Sequence, residues 1–159
     1  MIFVTVGTHT DGFSRLVQAM DAIAEQGNEE VVMQIGATSY EPRAARWFRF
    51  VSQQEIDELC REARVIVSHA GAGSIISALQ YGKPLIVMPR LHRYGEHMDD
   101  HQTELATALA RTGSILVAYE TKDLAGALAA TTGFAPHRSD PSCLVTAVRQ
   151  AVMDPRRGG

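Results

Sequence analysis

The feature that most constrains this chain is an apolar run that leads through a glycine-containing loop into a helical segment. Residues 64–67 have the composition of a buried strand, residues 68–74 form a loop of small residues, and residues 75–81 have the apolar spacing of a helix. This order brings backbone N–H groups and the positive end of a helix dipole to one place, where phosphate binds well. A plain strand-to-helix turn has the same pattern and remains an alternative.

The same order recurs along most of the chain. The predicted strands cover residues 1–6, 31–35, 47–51, 64–67, 84–89 and 115–117, and the predicted helices cover residues 13–26, 53–63, 75–81, 102–112, 124–131 and 139–153. Such alternation predicts a single doubly wound, Rossmann-like α/β domain with a parallel sheet and helices on both faces. Loops 7–12, 68–74 and 89–101 each follow a strand, so we expect all three at the carboxyl edge of the sheet, where ligands bind.

Length and composition limit the remaining possibilities. With 159 residues the chain has room for one domain, which we place at residues 1–155 with a frayed tail at 156–159. A net charge of −3 gives no footprint for nucleic acid. Cys60 and Cys143 lie far apart in helical segments and are expected to be buried thiols of a reducing compartment. No basic leader or long apolar run is present, so the expected location is the cytoplasm.

Two loops contain glycine and lack a standard nucleotide fingerprint. Residues 68–74 match neither the Gly-x-Gly-x-x-Gly pattern nor a Walker loop ending in Gly-Lys-Ser/Thr. Their glycines permit close backbone approach, and we expect Ser74 to cap the next helix and to donate its hydroxyl to a phosphate oxygen. Gly7 and Thr8 follow the first strand in the same way. The two loops are therefore predicted to clasp a diphosphate.

The histidines of these loops are candidate catalytic groups. Histidine titrates near neutral pH, so His9 is a candidate general base or phosphate partner and His69 a second candidate base. An exposed loop histidine at position 9 and a hydrogen-bonded structural histidine at position 69 are the alternatives that the residues leave open.

The third loop is crowded with polar side chains. Its histidines and carboxylates match no usual ligand spacing, so we predict no metal site. Hydrogen bonding to a hydroxyl-rich ligand fits its acids, amides and histidines better. Arg90 and Arg93 are expected either to pair with a carboxylate on the ligand or to face solvent.

Longer motifs resemble a known family. Ser-His-Ala-Gly-x-Gly-Ser-Ile at 68–75, Gly-Lys-Pro-Leu-Ile-Val-Met-Pro-Arg at 82–90 and Gly-Glu-His-x-x-Asp-His-Gln-x-Glu-Leu-Ala at 95–106 resemble the C-terminal, donor-binding domain of family 28 glycosyltransferases. The start of the chain, residues 3–17, resembles the stand-alone form of that domain. This form includes the cytosolic half of the split dolichol-pathway N-acetylglucosaminyltransferase and, closer still, the small PssE-like subunits of bacterial exopolysaccharide glucuronosyltransferases. The resemblance extends to about residue 124.

The resemblance implies a donor site for a UDP-sugar, with the glycine loops at the diphosphate and Asp100 and Gln102 at the sugar hydroxyls. The donor-binding residues that we expect are Gly7, Thr8, His69, Ala70, Gly71, Ala72, Gly73, Ser74, Arg90, Glu96, His97, Asp100 and Gln102. Ser77 departs from the pattern, because peptidoglycan and dolichol-pathway relatives have a ribose-gripping glutamate there. This difference favours the exopolysaccharide branch.

The resemblance also implies half of an enzyme of the GT-B type. A second, membrane-anchored glycosyltransferase subunit is expected to bind the lipid-linked sugar acceptor and to hold this chain peripherally at the inner membrane. The implied function is the donor-binding, catalytic subunit of an inverting, metal-independent glycosyltransferase, with glucuronic acid favoured as the sugar and Arg90 or Arg93 at its carboxylate.

Three alternatives to this function exist. The first is a subunit of a UDP-N-acetylglucosamine transferase. The second is a non-catalytic regulatory subunit that binds a nucleotide sugar. A dinucleotide-dependent oxidoreductase, the third, is disfavoured because the second predicted strand ends at Ile35 and Gly36 without an acidic residue for a ribose.

Overall fold

One parallel sheet organises the molecule. The computed structural model describes residues 1–135, and its strands are β1 Ile2–Thr5, β2 Val31–Gln34, β3 Arg46–Phe48, β4 Val65–His69, β5 Leu85–Met88 and β6 Leu116–Val117. These six strands of the described region are all parallel, in the spatial order β3-β2-β1-β4-β5-β6. The chain order therefore reverses between β1 and β4, and the predicted Rossmann-like α/β domain is confirmed.

Helices cover both faces of this sheet. They are α1 Ser14–Gln26, α2 Gln53–Glu62, α3 Ala72–Gln80, α4 His101–Arg111 and α5 Leu124–Ala130, with short 3₁₀ helices at His92–Tyr94 and Thr121–Asp123. Helices α1 and α5 pack on one face, and α2, α3 and α4 pack on the other. The predicted capping box of Ser52 and Glu55 starts α2, with both reciprocal hydrogen bonds formed.

The strands are apolar throughout because both of their faces are buried. In β1, Val4 points into the layer of α1 while Phe3 points into the layer of α2 to α4, and both are fully buried. Complete burial of such a side chain contributes about 1.5–3 kcal/mol. The alternation along the strands therefore supplies two cores from one set of short apolar runs.

The register aligns the strand ends that carry the loops. Thr5 at the end of β1 lies opposite Gln34 of β2 on one side and Ser68 of β4 on the other. The β1–α1 loop (residues 6–13), the β4–α3 turn (residues 70–71) and the β5–α4 loop (residues 89–100) consequently leave the same edge of the sheet, as predicted.

Several boundaries differ from the predicted ones. Strand β4 continues through His69, and α3 already begins at Ala72, so most of the predicted loop 68–74 belongs to regular structure. Gly71 is the N-cap of α3 and no side chain caps it, which makes the predicted capping role of Ser74 wrong. The predicted helix at 139–153, the tail at 156–159 and Cys143 lie outside the described residues. None of the helices in residues 1–135 combines the length and apolar character needed to cross a membrane.

Candidate functional site

A cleft of about 810 Å³ opens at the carboxyl edge, where the strand order reverses between β1 and β4. In open α/β sheets this switch point is the place where ligands bind. The residues that line the cleft are Thr5, Gly7, Thr8, His9, Thr10, Gln34, Phe50, Val51, Gln53, Ile56, Cys60, Ile66, His69, Gly71, Gly73, Ser74, Ser77 and Ala78. Fewer than half of the predicted donor-binding residues are among them, but both predicted catalytic histidines are included.

The imidazole of His69 fills the space between the two glycine-containing segments. A Cβ atom added to Gly7 would stand 2.6 Å from His69 Cε1, and one added to Gly71 would stand 2.3 Å from His69 Nε2. Gly7 also has a φ of +72°, which disfavours any residue with a side chain. Both glycines are therefore required by the packing of His69, in addition to any approach of a ligand.

Burial sets the protonation state of His69. The residue is only 8% exposed, and this burial, followed by the nearby charge of Arg90, lowers its pKa to about 4. The Thr5 backbone, which favours the protonated ring, offsets this only in part. His69 is therefore neutral at pH 7 and a weak base, which counts against the predicted role of His69 in catalysis and agrees with the structural alternative.

The side chain of Gln34, at the end of β2, supports the β1–α1 loop, and this role was not predicted from the sequence. Its Nε2 group donates to the carbonyl oxygens of Gly7 and Arg49, each at 2.9 Å, and its Oε1 accepts from the Thr5 hydroxyl at 2.7 Å. The side chain is 4% exposed at the end of an otherwise apolar strand. A lone amide at the carboxyl end of a buried strand was the available signal.

The start of α3 presents backbone donors to the cleft. Its first turn comprises Ala72, Gly73 and Ser74, whose N–H groups lack partners within the helix. A Cβ atom added to Gly73 would meet no other atom within 4 Å, so the helix surface there is open. Ala70 is buried and Ala72 packs on the core of α2 to α4, and neither side chain lines the cleft. The helix start suits a phosphate group through its backbone and Ser74.

His9 stands at the rim of the cleft. Its side chain is 52% exposed, and its Nδ1 accepts from the Asp11 backbone N–H at 3.3 Å. The ring centroid of His97 lies 6.2 Å away. The exposed position of His9 leaves it accessible to a ligand or a partner protein, unlike His69.

Arg90 lies inside the domain and not in the cleft. It is 1% exposed, and its guanidinium donates to the backbone carbonyl oxygens of Val6, Asp11 and Gly12. The alternative that Arg90 faces solvent is wrong, and contacts of both Nη groups with backbone carbonyls count against the predicted pairing with a ligand carboxylate.

Most other polar groups of the β5–α4 loop also bind within the protein. Glu96 accepts two hydrogen bonds from Arg15, each at 2.8 Å, and one from the Leu91 N–H at 3.0 Å. Arg93 forms an ion pair with Glu120. Glu96 was predicted to contact the donor, but internal partners hold its side chain. Arg93, expected either to pair with a carboxylate or to face solvent, is 61% exposed, which agrees with the second alternative.

Asp100, Gln102 and His97 are likewise outside the cleft lining. Asp100 is exposed and accepts from the His92 N–H at 3.0 Å, while Gln102 Oε1 accepts from the Arg90 N–H at 3.1 Å. His97 Nδ1 lies 3.0 Å from an Asp99 carboxylate oxygen. No three histidine, cysteine or carboxylate side chains within residues 1–135 are placed to hold a metal ion.

An apolar wall that the sequence analysis did not assign to the site completes the cleft. Phe50 and Val51, between β3 and α2, and Ile56 of α2 line the cleft together with the glycine segments. Phe50 is 57% exposed, so its ring is accessible from the cleft. Cys60 lies behind them, and burial raises the pKa of its thiol to about 11, so the thiol is protonated at neutral pH. This side of the cleft suits a flat, weakly polar group.

Comparison with known proteins agrees with this geometry. Residues 1–132 match the family described as the glycosyltransferase family 28 C-terminal domain. The UDP-N-acetylglucosamine transferase subunit ALG13 of Mus musculus is 33% identical over 122 residues, which are 71% of this chain and 10% of the relative. The chain thus spans about a tenth of the length of this relative.

Solved structures show the same fold. The NMR solution structure of ALG13 superposes with a TM-score of 0.65 at 19% identity, covering 95% of this chain and 96% of that one. The spinosyn forosaminyltransferase SpnP superposes with a TM-score of 0.60 at 19% identity, covering 97% of this chain but 39% of that one. The architecture of this chain therefore occurs both alone and as a part of a larger glycosyltransferase.

Proposed function

Since this chain belongs to the glycosyltransferase family 28 C-terminal domain, we propose that it is the donor-binding subunit of a glycosyltransferase and that it binds a UDP-sugar in the cleft between β1 and β4. The observation that supports this most directly is the meeting of the β1–α1 loop and the start of α3 around His69 at the switch point. Neutral backbone donors and a helix dipole suit a diphosphate there.

In this proposal the two sides of the cleft hold different parts of the donor. The N–H groups of Gly73 and Ser74, with the hydroxyls of Ser74 and Thr8, bind the diphosphate. The wall of Phe50, Val51 and Ile56 contacts the base. As UDP leaves, the same donors stabilise its growing charge, so the proposal needs no metal.

The proposed donor sugar is N-acetylglucosamine. The relative from Mus musculus named above carries that sugar in its name. One part of the case for glucuronic acid was the expected contact of Arg90 or Arg93 with its carboxylate, yet Arg90 is buried against backbone carbonyls and Arg93 pairs with Glu120. Both arginines are thus engaged elsewhere.

A glucuronic acid donor in exopolysaccharide synthesis is the second candidate. Ser77, which supports it, lines the cleft where the resemblance places a ribose-gripping glutamate in other branches. The two candidates differ only in the sugar, and a direct comparison of donors separates them.

The proposed enzyme includes a second polypeptide. The relative from Mus musculus is named as a subunit of its transferase, which supports a partner for this chain. We propose that a membrane-anchored subunit binds a lipid-linked acceptor and holds this chain at the inner membrane. His9, exposed at the rim, is the candidate in this chain for the base that activates the acceptor. If His9 is not the base, the partner supplies it.

Calorimetric titration of the purified chain with UDP, UDP-N-acetylglucosamine, UDP-glucuronic acid, UDP-glucose and NAD tests the donor. Binding of uridine nucleotides is expected, with UDP-N-acetylglucosamine the tightest. Gly73→Leu places a side chain in the open cleft and is expected to abolish binding. Gly126→Leu is the matched control, because Gly126 lies in α5 with equally open surroundings on the opposite face. Binding of NAD without any uridine nucleotide would overturn the proposal.

Activity measurements test the need for a partner. The chain alone is expected to show no transfer to a lipid-linked acceptor, and co-expression with the acceptor subunit is expected to restore it. Under those conditions His9→Asn is expected to lower the rate by about 10²–10⁴-fold if His9 is the base. Full partner-dependent activity of His9→Asn would assign the base to the partner. Unchanged activity of Gly73→Leu would support a regulatory, non-catalytic subunit.

A further inference from the structure

Arg90 is a cationic side chain buried without a carboxylate in hydrogen-bonding contact. It is 1% exposed and is among the largest fully buried side chains of residues 1–135. Its guanidinium carbon lies 4.8 Å from the centre of the Phe13 ring, a cation–π distance. Burial lowers the pKa of Arg90, and the charges of Glu96 and Asp11 act in the opposite direction. The hydrogen bonds of Arg90 indicate why a positive charge is kept at this depth.

Those hydrogen bonds join the two ends of the β1–α1 loop. The Val6 carbonyl, at the start of the loop, accepts from Nη2 at 3.3 Å. The Asp11 carbonyl accepts from Nη1 at 3.1 Å, and the Gly12 carbonyl accepts from the same nitrogen. Residues 7–10, which line the cleft, lie between these attachment points. One guanidinium therefore closes the loop from inside the domain.

The same residue joins this loop to the start of α4. The Arg90 backbone N–H donates to Gln102 Oε1 at 3.1 Å. Gln102 is the second residue of α4 and was predicted to hold sugar hydroxyls. Arg90 thus connects the segment proposed to bind the diphosphate with the residue predicted to bind the sugar.

We infer that Arg90 is a positioning residue, which holds the β1–α1 loop in its ligand-binding shape without touching the ligand. This inference rests on the proposed function, because it concerns the same cleft. Arginine suits the task because its planar group offers five donors in fixed directions and stacks on an aromatic ring. A lysine carries the same charge but reaches fewer carbonyls from one point and lacks a flat face. Lysine at position 90 is therefore expected to leave the loop partly open.

The test compares Arg90→Lys with Arg64→Lys. Arg64 also makes three side-chain hydrogen bonds, to Glu29 and Thr131, but it precedes β4 at the opposite edge of the sheet. Both variants are titrated with UDP well below their unfolding temperatures. Arg90→Lys is expected to bind UDP about tenfold more weakly, as when the loop is competent about a tenth of the time. Arg64→Lys is expected to lose stability but to keep wild-type affinity.

Amide hydrogen exchange of residues 7–12 in the ligand-free, folded protein is the second measurement. Faster exchange there in Arg90→Lys, with unchanged exchange in Arg64→Lys, supports the inference. Loss of stability in Arg90→Lys with wild-type UDP affinity and wild-type loop exchange overturns it, since Arg90 is then merely structural. If the wild-type chain binds no UDP, the proposed function fails while loop exchange still decides the inference.

Phe13→Leu keeps the experiment decisive if Arg90→Lys does not fold. Leucine preserves an apolar contact but removes the ring on which the guanidinium stacks. Faster exchange of residues 7–12 and weaker UDP binding are expected, to a smaller extent than in Arg90→Lys. Wild-type exchange and affinity in Phe13→Leu would then count against the inference.

Discussion

The β4–α3 turn and the β5–α4 loop leave the same edge of one sheet, yet they use their residues in opposite ways. The turn consists of small residues around His69, and the helix start that follows it leaves backbone N–H groups directed at the cleft. The loop is rich in charged side chains, and nearly all of those predicted to bind ligand have partners within the protein.

The difference shows that dense polar sequence is a poor guide to which residues line the cleft of this protein. Glu96 and Arg90 bind backbone groups that have no partner in regular structure, and this leaves few of their hydrogen-bonding groups for a ligand. Glycine makes no side-chain contacts, and so the segments that contain it keep their backbone donors accessible.

The largest effect is expected from Gly71→Ala. The new Cβ would stand 2.3 Å from His69 Nε2, and His69 cannot retreat because Gly7 packs on its other side. Overpacking of this kind costs about 2–3 kcal/mol of unfolding free energy, measurable by urea denaturation, and UDP binding is expected to be lost.

Two variants make that result specific. Adding His69→Ala to Gly71→Ala removes the clashing ring and is expected to recover part of the stability. Gly73→Ala, two positions on in α3 with open surroundings, is expected to be stabilised by about 0.5–1 kcal/mol. A Gly71→Ala protein as stable as the wild type would contradict the close packing at the turn.

The next effect concerns acid stability through His69. Its pKa of about 4 in the folded protein lies below the ordinary value of 6.5, so between these values the unfolded chain binds a proton that the folded chain does not. The stability present above pH 6.5 is therefore lost as the pH falls, by about 2 kcal/mol between pH 7 and 5. Urea denaturation at several pH values is expected to show that the unfolding free energy of His69→Gln depends less on pH than that of the wild type.

His92→Gln is the comparison variant for this profile, because it removes an exposed histidine of the β5–α4 loop and leaves His69 in place. If the unfolding free energies of His69→Gln and the wild type depend equally on pH, the buried ring is not the cause of the loss of stability in acid.

Glu96→Gln tests the β5–α4 loop and is expected to have a moderate effect. The Arg15–Glu96 pair is largely buried, with side chains 15% and 11% exposed. Loss of the charge weakens hydrogen bonds to a charged group and costs about 1–2 kcal/mol, while UDP affinity stays within about twofold of the wild type. Glu30→Gln, which alters the exposed Arg46 pair, is the control and is expected to change stability little. Loss of UDP binding without loss of stability would instead make Glu96 a ligand contact.

The smallest effect on stability is expected from Ser74→Ala. Ser74 makes no capping bond, so unfolding free energy changes by less than about 0.5 kcal/mol. UDP affinity is expected to fall about fivefold, as for one lost hydrogen bond of about 1 kcal/mol. Ser77→Ala, one turn further along the same cleft wall, is expected to lose less. Equal affinity for Ser74→Ala and the wild type would remove Ser74 from the diphosphate site.

The sequence predicted most of the fold because its signals are local. Each strand is a short apolar run, and the capping box of Ser52 and Glu55 marks the start of α2 within four residues. The site was predicted in part for the same reason, since Gly7 and Gly71 follow strands that had to end at one edge. The roles of Arg90 and Gln34 were missed, because their partners lie 78 to 84 and 15 to 29 positions away in the chain.

The sequence by itself determined the order of elements, the parallel sheet and the edge at which its loops meet, since periodicity and glycine placement are properties of neighbouring residues. Only the tertiary structure decided which polar residues face the cleft. A buried carbonyl must find a donor wherever the fold brings one close, and the Val6 carbonyl accepts from the inward-pointing Arg90, whereas the start of α3 lines the cleft. Side-chain chemistry was readable in the chain, but the direction in which each side chain points depended on packing.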